Sequence, residues 1–136
     1  MRVEVGFFPE ATYPDGTPVA YVAAIHEFGH PQGNIPARSF FRPTVAEKRV
    51  NWGRQFAGAM AGAIKGQVRF ADALEQIGGM AAGDVGKTIS SIMSPPLKPA
   101  TLAARQSRKK TPGVSDKPLV DTGQLIQAVT HKVESQ

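Results

Sequence analysis

Val3, Val5 and Phe7 alternate with Arg2, Glu4 and Gly6, and this period of two predicts a strand over 2–8 with one apolar face, ended by Pro9. The pattern then changes to a helical one. Tyr13-Pro14-Asp15-Gly16 is turn chemistry; Thr17 offers an N-cap oxygen and Pro18 suits a first helical position. Tyr21, Ile25 and Phe28 give the first helix its stripe, and Gly29 occupies the place of a left-handed C-terminal cap. Gln32 to Ala37 reads as an extended connection. Arg38 and Arg42 flank Ser39-Phe40-Phe41 at helical spacing, so both guanidinium groups are expected on one face with the aromatics inward.

Pro43 suits the first turn of a second helix running to about Lys65, with Trp52, Phe56, Met60 and Ile64 four apart. Beside that stripe lie Ala57, Gly58, Ala59, Ala61, Gly62 and Ala63. Each interior glycine weakens a helix by ~1 kcal/mol relative to alanine, so the run predicts close approach of another helix within the chain. Gly66 ends the helix. Phe70, Leu74, Ile77, Ala81, Val85, Ile89 and Ile92 form a second long stripe that keeps its phase through Gly78-Gly79. It reads as one helix, weak at that point and stopped by Pro95-Pro96, and as the partner of the first in an antiparallel hairpin about Gly66.

A short helix over 101–108 follows. Ser107 to Lys117 has no apolar periodicity and reads as a mobile loop. Asp121 with Gln124 three residues on resembles a capping box for a short helix buried by Leu125 and Ile126, and 128–134 alternates as a closing strand. The fold class expected is α+β in a single domain over 1–136: a small antiparallel sheet from the terminal strands, packed on a long helical hairpin and shorter helices.

Composition narrows the functions. A chain of 136 residues with 41% hydrophobic content is long enough for a modest core. Cysteine is absent, which removes disulfides and thiolate metal sites. The longest apolar run, Val19 to Ile25, is too short for a bilayer, and Met1-Arg2-Val3-Glu4 does not open a signal peptide, so a cytoplasmic product is expected. Lys98, Arg105, Arg108, Lys109, Lys110 and Lys117 face only Asp116 between 98 and 117, so one segment holds the entire net charge of +5. Such a loop neutralises phosphates without reading sequence or meets an acidic neighbour, and it lacks the aromatics that stack on single strands.

His26-Glu27-Phe28-Gly29-His30 matches HExxH, in which two histidines one turn apart bind zinc and the glutamate is the general base. A small zinc peptidase using His26, Glu27 and His30 is therefore the alternative function. Pro31 opposes it, because the residue before a proline leaves the α region and takes His30 off the helical face. The third position of the longer motif is Pro36, not histidine. No nucleotide-binding glycine motif is present: Gly86-Lys87-Thr88 lacks the earlier glycine and lies inside a helical stripe. No catalytic residue, metal or cofactor is assigned. His131, between valines, reads as a half-buried strand residue.

Glu27-Phe28-Gly29, then Ile35-Pro36-Ala37-Arg38-Ser39-Phe40, a long helix pair, and Pro118-Leu119-Val120-Asp121-Thr122-Gly123-Gln124-Leu125 stand in this order over nearly the whole chain. In this the sequence resembles the small minor tail, neck or tail-completion proteins of long-tailed double-stranded DNA bacteriophages, although Ser39 stands where that family has proline. The resemblance implies a non-enzymatic virion part at the head–tail junction or tail end, assembled in the bacterial host cytoplasm. Its implied partners are other copies of itself, as a ring, and connector, tail-terminator or tail-tube proteins, with non-specific contact to packaged DNA and none to a membrane. Arg38, Arg42, Arg105, Arg108, Lys109 and Lys110 are the candidate assembly residues.

Overall fold

The computed structural model describes residues 1–108 and 115–134. Its elements are β1 (Arg2–Gly6), α1 (Val19–Phe28), a 3₁₀ turn (Pro31–Gly33), α2 (Phe41–Ile64), α3 (Phe70–Ser91), α4 (Pro99–Ser107), α5 (Gln124–Ala128) and β2 (Thr130–Glu134). The fold is α+β. β1 and β2 pair antiparallel, with Val3 opposite Val133, Glu4 opposite Lys132 and Val5 opposite His131. β1 ends two residues sooner and β2 begins two residues later than the alternation suggests. No helix among the described residues is long and apolar enough to cross a membrane.

The sheet lies on α3. Gly78, in the middle of that helix, lies close against both strands: a β-carbon there would stand 2.5 Å from the His131 ring and 2.7 Å from Val3. The expected weak point is therefore a packing contact, and α3 runs through it unbroken. Val85 and Ile89 are fully buried and join Val19, Ala23, Phe40, Leu119 and Leu125 in the core. Phe40 meets Phe7 edge-on at 5.9 Å between ring centres.

The hairpin turns at Gly66 as expected. Gly66 has φ 75°, and Gln67 N–H donates to Gly62 O while Gly66 N–H donates to Ala63 O, which is a Schellman closure. The stripe expected on α2 is corrected. Four-residue steps advance about 40° per step around a helix of 3.6 residues per turn. Phe56 and Ile64 are accordingly 41% and 76% exposed, while Thr44 and Ala63 are buried. Trp52 reaches α3 through its indole N–H, which donates to Asp84 at 2.8 Å. The close intramolecular approach expected of the small residues is also only partial. Side chains added at Gly53 or Gly58 would meet nothing within 4 Å.

Two caps and one connection differ from expectation. Pro18, not Thr17, is the N-cap of α1, because Thr12 and Pro18 pair in an isolated bridge. Residues 31–33, expected to be extended or in the turn before it, form the 3₁₀ turn, closed by a His30–Ile35 bridge with Asn34 left-handed. Asp121 does not cap α5: Gly123 is the N-cap, at φ 85° and with no side-chain bond.

Candidate functional site

Glu27 is the last-but-one residue of α1 and is buried. α1 terminates because Gly29 takes φ 78°, a conformation that costs a side chain dearly, and a β-carbon there would lie 2.9 Å from Ala37 N. The chain returns through the 3₁₀ turn, so the start of α2 comes back over the end of α1. The Glu27 carboxylate then meets the free N–H groups of α2. It accepts from Phe40 N–H and Phe41 N–H at 2.8 Å each, from Arg42 N–H at 3.1 Å and from the Ser39 hydroxyl at 2.6 Å. A helix start leaves such donors unpaired and carries partial positive charge, so a buried carboxylate belongs there.

Arg42 completes the arrangement. Its Nε donates to Glu27 Oε1 at 2.8 Å and its Nη2 to the Glu27 carbonyl at 3.1 Å, while its guanidinium lies 4.6 Å over the Phe28 ring. Burial pushes the Glu27 carboxyl up. The Ser39 hydroxyl, the Phe41 amide, the Arg42 guanidinium and the Phe40 amide outweigh it and hold the group down at about 2.

The rest of HExxH is arranged differently from a zinc site. His26 lies inside α1, whereas His30 lies beyond the Gly29 turn and its Nδ1 accepts from Gly33 N–H at 2.9 Å. The two imidazoles do not share a helical face, and Glu27 is occupied by backbone donors. Among the described residues no three His, Asp or Glu side chains cluster in a way that would hold a metal ion.

His26 instead marks the place where the three conspicuous motifs converge. It walls a cleft of about 500 Å³ together with Ile35, Arg38, Pro95, Arg105 and Pro118. Burial lowers the His26 pKa, and the nearby Arg38 and Arg105 lower it further, so the ring is held neutral beside two cations. Its Nδ1 is buried without a partner. Arg38 is buried and precedes α2, its Nε donating to Pro95 O at 2.7 Å and its Nη2 to Pro96 O at 3.3 Å. The shared helical face expected for Arg38 and Arg42 therefore does not form, because the helix begins only at Phe41.

Arg105 gathers the carbonyls of Ser115, Lys117, Pro118 and Val120 at 3.0–3.2 Å. Arg108 pairs with both oxygens of Asp121. These two arginines of the basic segment, expected as assembly residues, thus tie α4 to the Pro118–Leu125 segment. Lys109 and Lys110 lie outside the described residues, as does most of the loop expected over 107–117. His131 is half-buried as expected, and its Nε2 lies 2.5 Å from Glu75 Oε2. No residue pattern marks Glu27 as the cap of a helix that begins fourteen residues ahead, since its partners are mostly backbone amides. Comparison with protein families, with curated proteins and with solved structures finds no match.

Proposed function

We propose that this chain is a non-enzymatic structural protein of a long-tailed DNA bacteriophage, acting in tail completion or head–tail joining and assembling in several copies. The observation that carries the reading is the convergence at His26. Glu-Phe-Gly closes α1 and supplies the carboxylate that starts α2. The Ile35–Phe40 segment supplies Arg38, which ties the α3–α4 connection, and the segment from Pro118 to Leu125 is held by Arg105 and Arg108. Motifs that serve one another in this way are a scaffold's motifs. That accounts for their fixed order in the phage proteins the sequence resembles, and for HExxH as part of the same scaffold.

The experiment is a mass measurement of the purified protein alone and mixed with a tail-tube protein, joined to electron microscopy of a phage lacking the gene. The reading expects multimers or a complex, and separate heads and tails in the deletion lysate. Normal tailed particles from the deletion would overturn it.

A further inference from the structure

The flank of α3 beyond β2 is bare. Gly79, Gly83 and Gly86 lie along it and, with Lys87, Thr130 and His131, wall an open groove of about 490 Å³. A side chain added at Gly83 would meet nothing within 4 Å. Above the groove runs the free edge of β2. The sheet has only two strands, and among the described residues no further hydrogen bond reaches the backbone of either. Such an edge is a template for another strand.

The other flank is built differently. α2 packs on the opposite side of α3, where Trp52 bonds Asp84 and Thr44 bonds Thr88, and its first residue, Phe41, lies beside Gly6 at the end of β1. Its outer face carries Ala46, Val50, Gly53 and Ala57, with Val50 58% exposed and Gly53 open. This flank offers a free β1 edge and a smooth helix face; the first offers a free β2 edge and a groove floored by glycines, open at Gly83 and walled by Ile126 and Val129.

We propose that these unlike flanks fit each other: a second copy of this chain docks head to tail, its β1 pairing with β2 and its α2 outer face filling the glycine groove. The charges select this partner. Inside the chain Glu4 stands opposite Lys132 and Arg2 opposite Glu134, and an incoming β1 in the same register repeats both pairs. Like edges do not match: two β2 strands centred on Lys132 set lysine against lysine, and two β1 strands centred on Glu4 set glutamate against glutamate. Like charges directly opposite destabilise a strand pair. The interface is therefore heterologous, and repetition gives a ring or a filament. The proposal gives the assembly role above its contact surface and rests on that role.

Two substitutions at open glycines test it, Gly53→Arg on one flank and Gly83→Arg on the other, in the full chain. Both add a side chain where there is space and remove a helix-weakening glycine, so each variant should melt no lower than the parent. In sedimentation velocity the parent should associate and each variant alone should run as a monomer. An equimolar mixture should form heterodimers and stop there, because only one good interface remains, between the α2 face of the Gly83→Arg copy and the groove of the Gly53→Arg copy. Association of Gly83→Arg alone would overturn the groove while leaving the assembly role standing. Loss of association in Gly53→Arg only would assign the contact to α2 pairing with itself. A parent that stays monomeric at all concentrations would end the proposal, whatever the phage deletion shows.

Discussion

Glu27 and Arg42 are joined twice: the Arg42 guanidinium donates to the Glu27 carboxylate at 2.8 Å and to the Glu27 main-chain carbonyl at 3.1 Å. The side chain that opens α2 is thereby locked to the helix that precedes it. Replacing Glu27 by Gln keeps the shape but removes the charge and turns one acceptor into a donor facing backbone N–H groups. We expect Glu27→Gln to cost about 2–4 kcal/mol in chemical denaturation, the range for a broken buried charged bond. A variant as stable as the parent would mean the carboxylate is not the cap.

The same group sets the acid limit of the fold. Its pKa falls from 4.5 in the unfolded chain to about 2 in the folded one, so its stabilisation is complete above 4.5 and drains as pH falls toward 2. His26 acts earlier. Its folded pKa lies below the ordinary 6.5, so protons favour the unfolded chain once pH drops beneath that value. Stability should decline in two phases. His26→Gln should remove the one that begins near 6.5, and Glu27→Gln the one that begins near 4.5, in denaturant midpoints read across pH.

Zinc separates the scaffold reading from the peptidase reading. With His30 turned away to Gly33 and Glu27 engaged, the purified protein should hold no stoichiometric zinc, and a chelator should leave its melting temperature unchanged. One zinc per chain by elemental analysis, lost in His30→Ala, would restore the peptidase.

Two glycines of one helix should respond in opposite directions. Gly78→Ala forces a methyl within 2.5 Å of the His131 ring and should lower stability by ~1–3 kcal/mol despite alanine's better helix propensity. Gly83→Ala meets open space and should raise it by up to ~1 kcal/mol. Thermal melts of the pair decide whether the sheet sits on α3 at this point.

Much of this was legible in local pattern. The alternation of Val3 and Val5, the long stripe of α3, and the positive φ at Gly29 and Gly66 follow from rules that operate within a few residues. What could not be read is what one segment does to another far away. Asp121 looked like a cap because Gln124 stands three residues on, yet Arg108 draws it aside. Phe56 and Ile64 looked like core until the helix they sit on was found to bury a different face. The small residues of α2 pointed to a close helix partner within the chain, and Gly78-Gly79 of α3 pointed only to a weak point, whereas the structure presses the sheet against Gly78. Two other glycines of these helices, Gly53 and Gly83, meet nothing in this chain.

The basic segment gives the last prediction, and the structure divides it. Arg108 is committed to Asp121, and Arg105 to the carbonyls beyond it. Arg108→Ser should therefore act on the fold. Among the described residues it leaves Asp121 with Arg105 alone near it, at 3.6 Å, and should lower the melting temperature whether or not a partner is present. Lys109 and Lys110 lie outside the described residues; if they serve assembly, replacing both by Ser should act on joining to a partner, with the melt of the isolated chain measured as the control. If the loop meets protein, the double variant should lose protection from trypsin on mixing with its partner, without any salt-dependent change in DNA binding. If it meets DNA, binding to duplexes of unrelated sequence should weaken and depend less steeply on salt. The absence of aromatics favours the protein contact, and head–tail joining is then the step that should fail. A Lys109→Ser, Lys110→Ser phage with a normal yield of infectious particles would confine the role of this segment to Arg105 and Arg108, inside the fold.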